Sequence, residues 1–144
     1  SSTFALSVKV WAAGLTGRFH FAGLVPPNQV HRYLALSTML WHLSLREGLP
    51  RSVVQALASG KPAIGFRLDG TPEVVFDGET GFCVEPGDIE AVAKHTLELL
   101  RDPAAAVRMG ENGRRLVAEH FDHHYMSDAL EKEYLRLYHL NTGR

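Results

Sequence analysis

The fold is decided by the stretch MLWHLSLREGLPRSVVQALASGKPAIGF, residues 39–66. It opens with a compact apolar run, 39–43, and closes with a second one, 63–66. Between them a helical pattern starts at Pro50 and stops at Gly60, with its apolar residues spaced to form one buried stripe. Two parallel strands require a crossover connection such as this helix. The stretch therefore predicts a strand–helix–strand unit of a parallel sheet, and hence an α/β fold.

The flanking sequence extends this pattern in both directions. On the N-terminal side, residues 19–21 predict a short strand, and Asn28 predicts the cap of a helix that reaches Leu36. Residues 4–11 fit either a strand, by their alternation, or a helix, by their composition. On the C-terminal side, residues 82–84 predict another strand. We therefore expect a parallel sheet of about four strands with helices on both faces.

The second half of the chain is predicted to be mainly helical. Three helices are expected to begin at aspartates, Asp88, Asp102 and Asp122, and to end near residues 100, 119 and 140 respectively. We expect a single domain over 1–144, with 1–13 as a leader segment of uncertain structure and 122–140 as the C-terminal helix. In such sheets ligands bind at the carboxyl ends of the strands. The loops at 23–28, 44–50, 67–72 and 85–87 are the ones to inspect.

Composition excludes several classes of protein. The chain has 144 residues, of which 45% are hydrophobic and 22% charged, as in one ordinary globular domain. The longest uncharged apolar stretch, 33–45, has 13 residues, whereas a membrane span needs roughly 20. The only cysteine, Cys83, has no partner for an internal disulfide, which favours a reducing compartment. We expect a cytoplasmic protein without a membrane span, and a chain that begins inside a longer or processed protein because no signal peptide or Met opens it.

Charge is distributed unevenly along the chain. The net charge of −1 argues against a dedicated nucleic-acid binder. Residues 1–72 carry seven Lys and Arg against two Asp and Glu, whereas residues 73–144 carry eight against 14. This asymmetry fits an anionic ligand near the first half, or simply solvated acidic helices near the C-terminus.

Several catalytic and cofactor motifs are missing. The sequence has no dinucleotide fingerprint, no phosphate-binding P-loop and no nucleophile elbow. His120, His123 and His124 could place two imidazoles on one helical face, but a metal site needs three or four ligands. We interpret them as solvated and His42 as a core histidine. No metal and no cofactor are therefore expected.

Glu47 is the residue whose position points to chemistry. It lies between the end of a predicted buried strand and the start of a helix, where unpaired N–H groups form an anion site. A carboxylate beside that site would repel phosphate, so it suits sugar hydroxyls adjacent to a phosphate. Alternatively, Glu47 compensates the helix dipole.

Five segments together resemble a known family. They are Glu47-Gly-Leu-Pro, Gln55-Ala-Leu-Ala-Ser-Gly-Lys-Pro, Asp69-Gly-Thr-Pro-Glu73, Asp77-Gly-Glu-Thr-Gly-Phe82 and Val84-Glu-Pro-Gly-Asp88. In this order and spacing they resemble the C-terminal domain of the retaining group 1 glycosyltransferases, which have the GT-B fold with two Rossmann-like domains. The upstream segment 14–23 resembles the strand and loop that precede the same motif. The likeness covers about residues 14–140.

The resemblance assigns roles to individual residues. It implies that Glu47 is catalytic and bonds hydroxyls of the donor sugar, and that Gly48 and Leu49 offer backbone donors to the diphosphate. Val25 matches the loop residue whose backbone meets the nucleobase, and Gly70 matches a donor-binding loop. Gln55 stands where the family has a second glutamate that bonds the ribose. Gln keeps an acceptor oxygen but lacks the charge; alternatively, Gln55 is only a residue on the helix surface.

The resemblance also implies what a complete enzyme contains. The family's domain starts with a strand and a glycine-rich turn whose Arg and Lys neutralise the departing diphosphate, and this segment is not found here. Arg46 and Arg51 could compensate in part. The N-terminal acceptor domain, with its catalytic histidine, is the expected partner, and a peripheral membrane contact is compatible with a lipid acceptor.

Three functions follow from these observations. The leading one is transfer of a hexose, with retention, from a nucleoside diphosphate sugar to an acceptor hydroxyl, the isolated chain being inactive. The alternative is a non-catalytic nucleotide-binding or interaction module, a degenerate piece of the same fold. A nicotinamide dehydrogenase is disfavoured because the dinucleotide fingerprint is absent.

Overall fold

The computed structural model describes residues 2–45 and 50–120. Five helices and three strands follow one another in these ranges. The helices are α1 (Ser2–Ala12), α2 (Val30–Leu36), α3 (Arg51–Ala58), α4 (Ile89–Arg101) and α5 (Pro103–His120); the strands are β1 (Leu40–His42), β2 (Ala63–Phe66) and β3 (Gly81–Val84). Short 3-10 turns span Thr16–Arg18, Pro27–Gln29 and Thr71–Glu73. No helix in the described residues is long and apolar enough to cross a membrane.

The three strands form a parallel sheet in the order β1-β2-β3. Leu40 pairs with Ala63, which pairs in turn with Gly81. All four residues of β2 are buried, as expected for a central parallel strand, because helices cover both faces of such a sheet. The strands predicted at 39–43, 63–66 and 82–84 are confirmed, and the domain is α/β.

Helices cover both faces of the sheet. Ala63 and Cys83 pack on one face against α3, in a cluster that includes Val53 and Leu57. Ile64 and its neighbours pack on the other face, in a cluster with α4; its buried members are Ile64, Phe66, Val84, Val92, Leu99, Ala105, Ala106 and Met109. Helix α5 contributes to both clusters and so closes one side of the core.

The predicted strand at 19–21 is wrong. Phe19 and Phe21 are 45% and 40% exposed, and their rings stack on each other at 6.2 Å instead of packing into the sheet. A strand needs a neighbouring strand for its backbone groups, and this segment pairs with none in the described residues. Residues 4–11, left open between strand and helix, belong to helix α1. The described sheet therefore has three strands, not about four.

Capping confirms two predicted helix starts. The Asp88 carboxylate accepts a hydrogen bond from the Ala91 N–H at 3.0 Å, and the Asp102 carboxylate accepts one from the Ala105 N–H at 3.1 Å. Asn28 does not cap α2, because it lies inside the 3-10 turn that precedes that helix. The predicted helix at 122–140 lies outside the described residues.

Candidate functional site

The candidate site lies at the carboxyl edge of the sheet, where all three strands end. Because the strands are parallel, His42, Phe66 and Val84 end at the same edge. The chain then leaves the sheet through the segments that follow each strand. Ligands of open α/β sheets bind outside this edge, so these segments are the candidate binding surface.

The start of helix α3 provides a positive end at this edge. Pro50 precedes the helix, and its carbonyl accepts the first helical hydrogen bonds, from the Val53 and Val54 N–H groups at 3.2 Å. No acidic residue stands in the first turn, and Arg51 is exposed there. The N–H groups of a first turn point out of the helix and carry partial positive charge. This turn is therefore suited to an anionic group.

A side-chain contact joins the end of β1 to α3. The Ser52 hydroxyl lies 3.3 Å from His42 Nδ1. His42 shares its face of the sheet with Leu40, two residues earlier, and Leu40 packs against the α3 cluster. His42 was interpreted as a core histidine, and it is half-buried with this partner. The contact fixes the first turn of α3 beside the strand end.

Gly65 brings the loop after β2 close to β1. A Cβ at this position would lie 2.8 Å from Thr71 Cγ2 and 3.3 Å from the His42 carbonyl oxygen. The absent side chain therefore leaves space for Thr71, which is 3% exposed. The Thr71 carbonyl in turn accepts a 2.9 Å hydrogen bond from the Val75 N–H. Thus the loop at 67–72, the end of β1 and the first turn of α3 form one surface.

Arg67 lies at this edge beside the end of β3, where several polar groups contact it. Its guanidinium donates to the Cys83 carbonyl at 3.0 Å and lies 3.4 Å from an Asp77 oxygen and 3.3 Å from a Glu85 oxygen. The hydrogen bond to Asp77 raises the pKa of Arg67 above its ordinary value, so the group stays charged. Arg67 was not predicted as a site residue. Its place directly after β2, with Glu85 directly after β3, was a signal that could have found it. Two carboxylates engage Arg67, so they offset part of the charge that it could offer a ligand.

The structure describes only some of the residues that were predicted for the site. Glu47 and the neighbouring predicted site residues, Arg46, Gly48 and Leu49, lie outside the described residues. Arg51 is at the exposed start of α3, and Gly70 is buried at the start of the 3-10 turn that follows β2. Both belong to the carboxyl edge. Val25 is half-buried in an irregular segment that pairs with no strand in the described part of the chain, so the strand that was expected to place it is missing.

Gln55 is buried in α3, one turn after Arg51 and Ser52. It is 8% exposed, and it is the only polar residue in the buried run 53–58. The alternative interpretation of Gln55 as a residue on the helix surface is therefore wrong. Residues three and four apart share a helix face, so Gln55 lies on the side of the helix that carries Arg51 and Ser52.

Cys83 and the histidines of the described residues provide no second site. Burial is the main cause that raises the pKa of the Cys83 thiol to about 11, and its Sγ lies 3.4 Å from the Val75 carbonyl oxygen. A protonated thiol is a poor nucleophile. Within 2–45 and 50–120 there is no group of three or more His, Cys, Asp or Glu side chains that could hold a metal ion. His123 and His124 lie outside these ranges.

A separate cavity lies at the opposite, amino-terminal edge of the sheet. It has a volume of about 290 Å³ and includes Thr38 and Pro62, which precede β1 and β2. Its lining is mostly apolar, with Lys61 as its one charged residue. None of the residues predicted for the site lines this cavity, so we place the site at the carboxyl edge.

Comparison with known proteins identifies the class. The C-terminal domain of a group 1 family glycosyl transferase, LpcC from Francisella tularensis, superimposes with a TM-score of 0.77 and 25% identity, over 84% of this chain and 63% of that one. The Anabaena protein Alr3699/HepE, solved with UDP, gives a TM-score of 0.78 over 99% of this chain and 37% of its own, at 20% identity, which concerns the fold alone. The domain is thus of the kind found at the C-terminus of GT-B glycosyltransferases.

The family follows from the sequence comparison. The family model described as "Glycosyl transferases group 1" matches residues 3–116, and the chain belongs to this family. It is 35% identical over 112 residues to N-acetyl-alpha-D-glucosaminyl L-malate synthase from Bacillus anthracis, a match that covers 78% of this chain. The matched part spans 28% of the length of that relative.

Proposed function

We propose that this chain is the donor-binding part of a retaining glycosyltransferase, which moves a hexose from a nucleoside diphosphate sugar to an acceptor hydroxyl. Membership of the group 1 family supports glycosyl transfer from a nucleotide sugar. The single observation that carries the finer proposal is the burial of Gln55 on α3, one turn after the Ser52 contact with β1. The Gln55 amide has a hydrogen-bond donor and an acceptor, and either can pair with a ribose hydroxyl.

In this proposal the diphosphate lies at the start of α3. The first-turn N–H groups would donate hydrogen bonds to its oxygens, and Gly48 and Leu49 would add backbone donors from just before the helix in sequence. From Pro50 to Gln55 the helix rises about 7–8 Å, at 1.5 Å per residue. That length matches the step from the diphosphate to the ribose. Glu47, which precedes the helix start in sequence, would bond the hydroxyls of the transferred sugar.

Cations would support departure of the nucleoside diphosphate. Positive groups aimed at a leaving group stabilise the charge that develops in the transition state. Arg51 is exposed at the start of α3, and Arg46 precedes it in sequence. Arg67 is paired with Asp77 and Glu85. We propose that Arg46 and Arg51 supply part of this charge. In a longer protein, the family's Arg and Lys at the start of this domain would supply the rest, and the acceptor domain would supply the catalytic histidine.

Variants of Gln55 test the nucleotide site. Gln55→Leu is expected to weaken binding of nucleoside diphosphates by about 1 kcal/mol, the value of one neutral hydrogen bond. Gln55→Glu is expected to preserve or strengthen binding, because a charged acceptor forms the stronger bond. Isothermal titration calorimetry with UDP, GDP and ADP measures both. Thr96→Val, a change of similar size on α4, is the control. If neither Gln55 variant changes the affinity, Gln55 does not bind the ribose.

A non-catalytic nucleotide-binding or interaction module remains the alternative. The neutral Gln55 and the engagement of Arg67 by two carboxylates favour it, since both reduce the charge available for catalysis. Nucleotide binding separates a binding module from a pure interaction module. Turnover by a protein in which this chain is joined to an acceptor domain separates an enzyme from both.

The isolated chain is expected to transfer no sugar. Arg67 is already paired with two carboxylates, so the cations of the described residues leave most of the diphosphate charge unbalanced. In the isolated chain no acceptor domain orients the nucleophile or excludes water, and these two effects are worth several kcal/mol. We expect nucleotide binding with a Kd of about 1 mM, roughly −4 kcal/mol. The measurement is an assay with radiolabelled UDP-, GDP- and ADP-hexoses, mixed acceptors and the purified 144 residues. Sustained turnover would contradict this expectation.

A further inference from the structure

Most of the exposed large apolar side chains lie in the first third of the chain. Eleven of the sixteen that are exposed in the described residues lie between residues 6 and 45. Both tryptophans of the chain are among them, with Trp11 74% and Trp41 52% exposed. Single exposed apolar side chains are ordinary on a protein surface, whereas a concentration of them marks a surface that binds a protein or a membrane.

Helix α1 and the turn that follows it form one unit with this character. Lys9 is the only charged residue of α1, and of residues 5–12 only Val10 is buried. The chain then folds back on the helix, because the Leu15 N–H donates to the Val10 carbonyl at 3.0 Å and the Arg18 N–H donates to the Leu15 carbonyl at 2.8 Å. We call residues 2–21 the N-terminal unit. Its exposed large apolar side chains are Leu6, Val8, Trp11, Leu15, Phe19 and Phe21.

The charge around these apolar side chains has one sign. Residues 1–46 contain four Lys and Arg and no Asp or Glu, so all 16 acidic residues of the chain lie after residue 46. Within the N-terminal unit Lys9 and Arg18 are exposed, and neither forms an ion pair with another described residue. Their charge is therefore available to an anionic partner.

This combination of side chains fits the surface of an anionic bilayer. Tryptophan and other aromatic rings lie at the boundary between headgroups and acyl chains, and Lys and Arg are attracted to anionic headgroups. Binding at such a surface grows with the apolar area that enters it and with the positive charge beside that area. A second copy of the unit is a poorer partner, since Lys9 and Arg18 would then meet cations.

We propose that the N-terminal unit is a contact surface for anionic lipid bilayers. Trp11, Phe19 and Phe21 enter the interface, and Lys9 and Arg18 lie against the headgroups. The inference goes beyond the proposed function, because it concerns a surface formed by α1 and its turn and does not depend on nucleotide binding. The contact is with the bilayer surface and involves no covalent step.

Binding of the 144-residue protein to vesicles tests the proposal. Sedimentation with vesicles compares phosphatidylcholine alone with phosphatidylcholine mixed with phosphatidylglycerol. We expect binding to the anionic vesicles to be stronger by about tenfold or more, since two cations each contribute to it. Added salt should weaken this binding, because it screens exposed charges.

Substitutions within the N-terminal unit should weaken binding to the anionic vesicles. Lys9→Gln and Arg18→Gln are each expected to lower the affinity about fivefold, and Trp11→Ser about tenfold, through the loss of apolar area. Arg108→Gln and Val107→Ser are the matched controls, because both residues are exposed on α5, and they should leave the affinity unchanged. Circular dichroism checks that every variant is folded.

Tryptophan fluorescence locates the contact. Trp41→Phe leaves Trp11 as the only tryptophan, and its emission should move to shorter wavelength and be quenched by lipids with brominated acyl chains. Trp11→Phe leaves Trp41, whose indole N–H donates to the Thr96 hydroxyl at 2.9 Å, and this emission should respond less. A response of Trp41 without one of Trp11 would place the contact elsewhere and overturn the proposal.

Three further outcomes would overturn it. One is equal affinity for neutral and anionic vesicles, and another is unchanged affinity in the Lys9, Arg18 and Trp11 variants. A dimer in sedimentation equilibrium that Trp11→Ser dissociates would assign the surface to a second copy. Vesicle binding must also persist in a protein that joins this chain to an acceptor domain; its loss there would show that the rest of that protein covers the unit.

Discussion

Gly110→Ala is expected to destabilise the chain by about 3 kcal/mol or more, at the upper end of the cost of overpacking a core. Gly110 lies in α5 where that helix crosses the end of α3, and a Cβ there would overlap the carbonyl oxygen of Gly60 and crowd the Lys61 nitrogen. These are backbone atoms, so a rotamer change cannot relieve the overlap. In an open helix interior the same substitution stabilises by about 1 kcal/mol. A loss of stability instead of a gain would therefore show that a Cβ at position 110 meets the Gly60 backbone.

Equilibrium unfolding in urea, followed by circular dichroism, measures this effect. Val107→Ala is the control, because Val107 lies in the same helix and is 70% exposed; we expect a change within about 0.5 kcal/mol there. Gly113→Ala is a second comparison, since the three atoms nearest to its Cβ would all belong to the Leu57 side chain and not to the backbone. An unchanged or raised stability in Gly110→Ala would show that α5 does not approach Gly60 this closely.

The central part of the fold was predictable because its signals are local. A parallel strand buried on both faces appears as a continuous apolar run, and 63–66 is such a run. Aspartates such as Asp88 and Asp102 accept hydrogen bonds from N–H groups three residues later, so they mark helix starts in the sequence itself. These two kinds of signal sufficed for β1, β2, β3, α4 and the start of α5.

Other parts depend on contacts between distant residues. The segment 19–21 has the residues of a strand, but it has no strand beside it in the described chain, and its phenylalanines stack on each other instead. The approach of Gly110 to Gly60, and the space that Gly65 leaves for Thr71, arise only when separate elements pack together. No local pattern in the sequence encodes them.

The location of the candidate site could be predicted from the sequence, but most of its side-chain contacts could not. The order of strands and helices placed it at the carboxyl edge, and Gln55 was expected to face it. Gln55 is buried in α3, and its role toward a ligand stays a prediction. The ion pairs of Arg67 and the left-handed backbone of Asp69 were not predicted. Both depend on loop geometry set by β3 and Thr71.

Glu47→Ala is expected to reduce sugar transfer at least tenfold in a protein that joins this chain to an acceptor domain, about 1.4 kcal/mol in the barrier. Glu47 lies outside the described residues, and in sequence it stands between β1 and the first turn of α3. A carboxylate there can bond sugar hydroxyls beside a diphosphate held by the helix start. It can also offset the helix dipole without touching a ligand.

Stability distinguishes these two roles of Glu47. A dipole role is worth about 0.3–1 kcal/mol, so Glu47→Ala would then lower the melting temperature and leave transfer intact. A role in binding the donor sugar predicts the reverse, with an unchanged melting temperature and a loss in kcat/KM. Glu47→Gln keeps an acceptor oxygen without the charge, and should fall between the two in transfer. Glu79→Ala, an exposed acidic change at a turn distant from α3 in sequence, should leave transfer unchanged. Full activity in Glu47→Ala would remove Glu47 from the site, and with it the sugar-binding end of the proposed arrangement around α3.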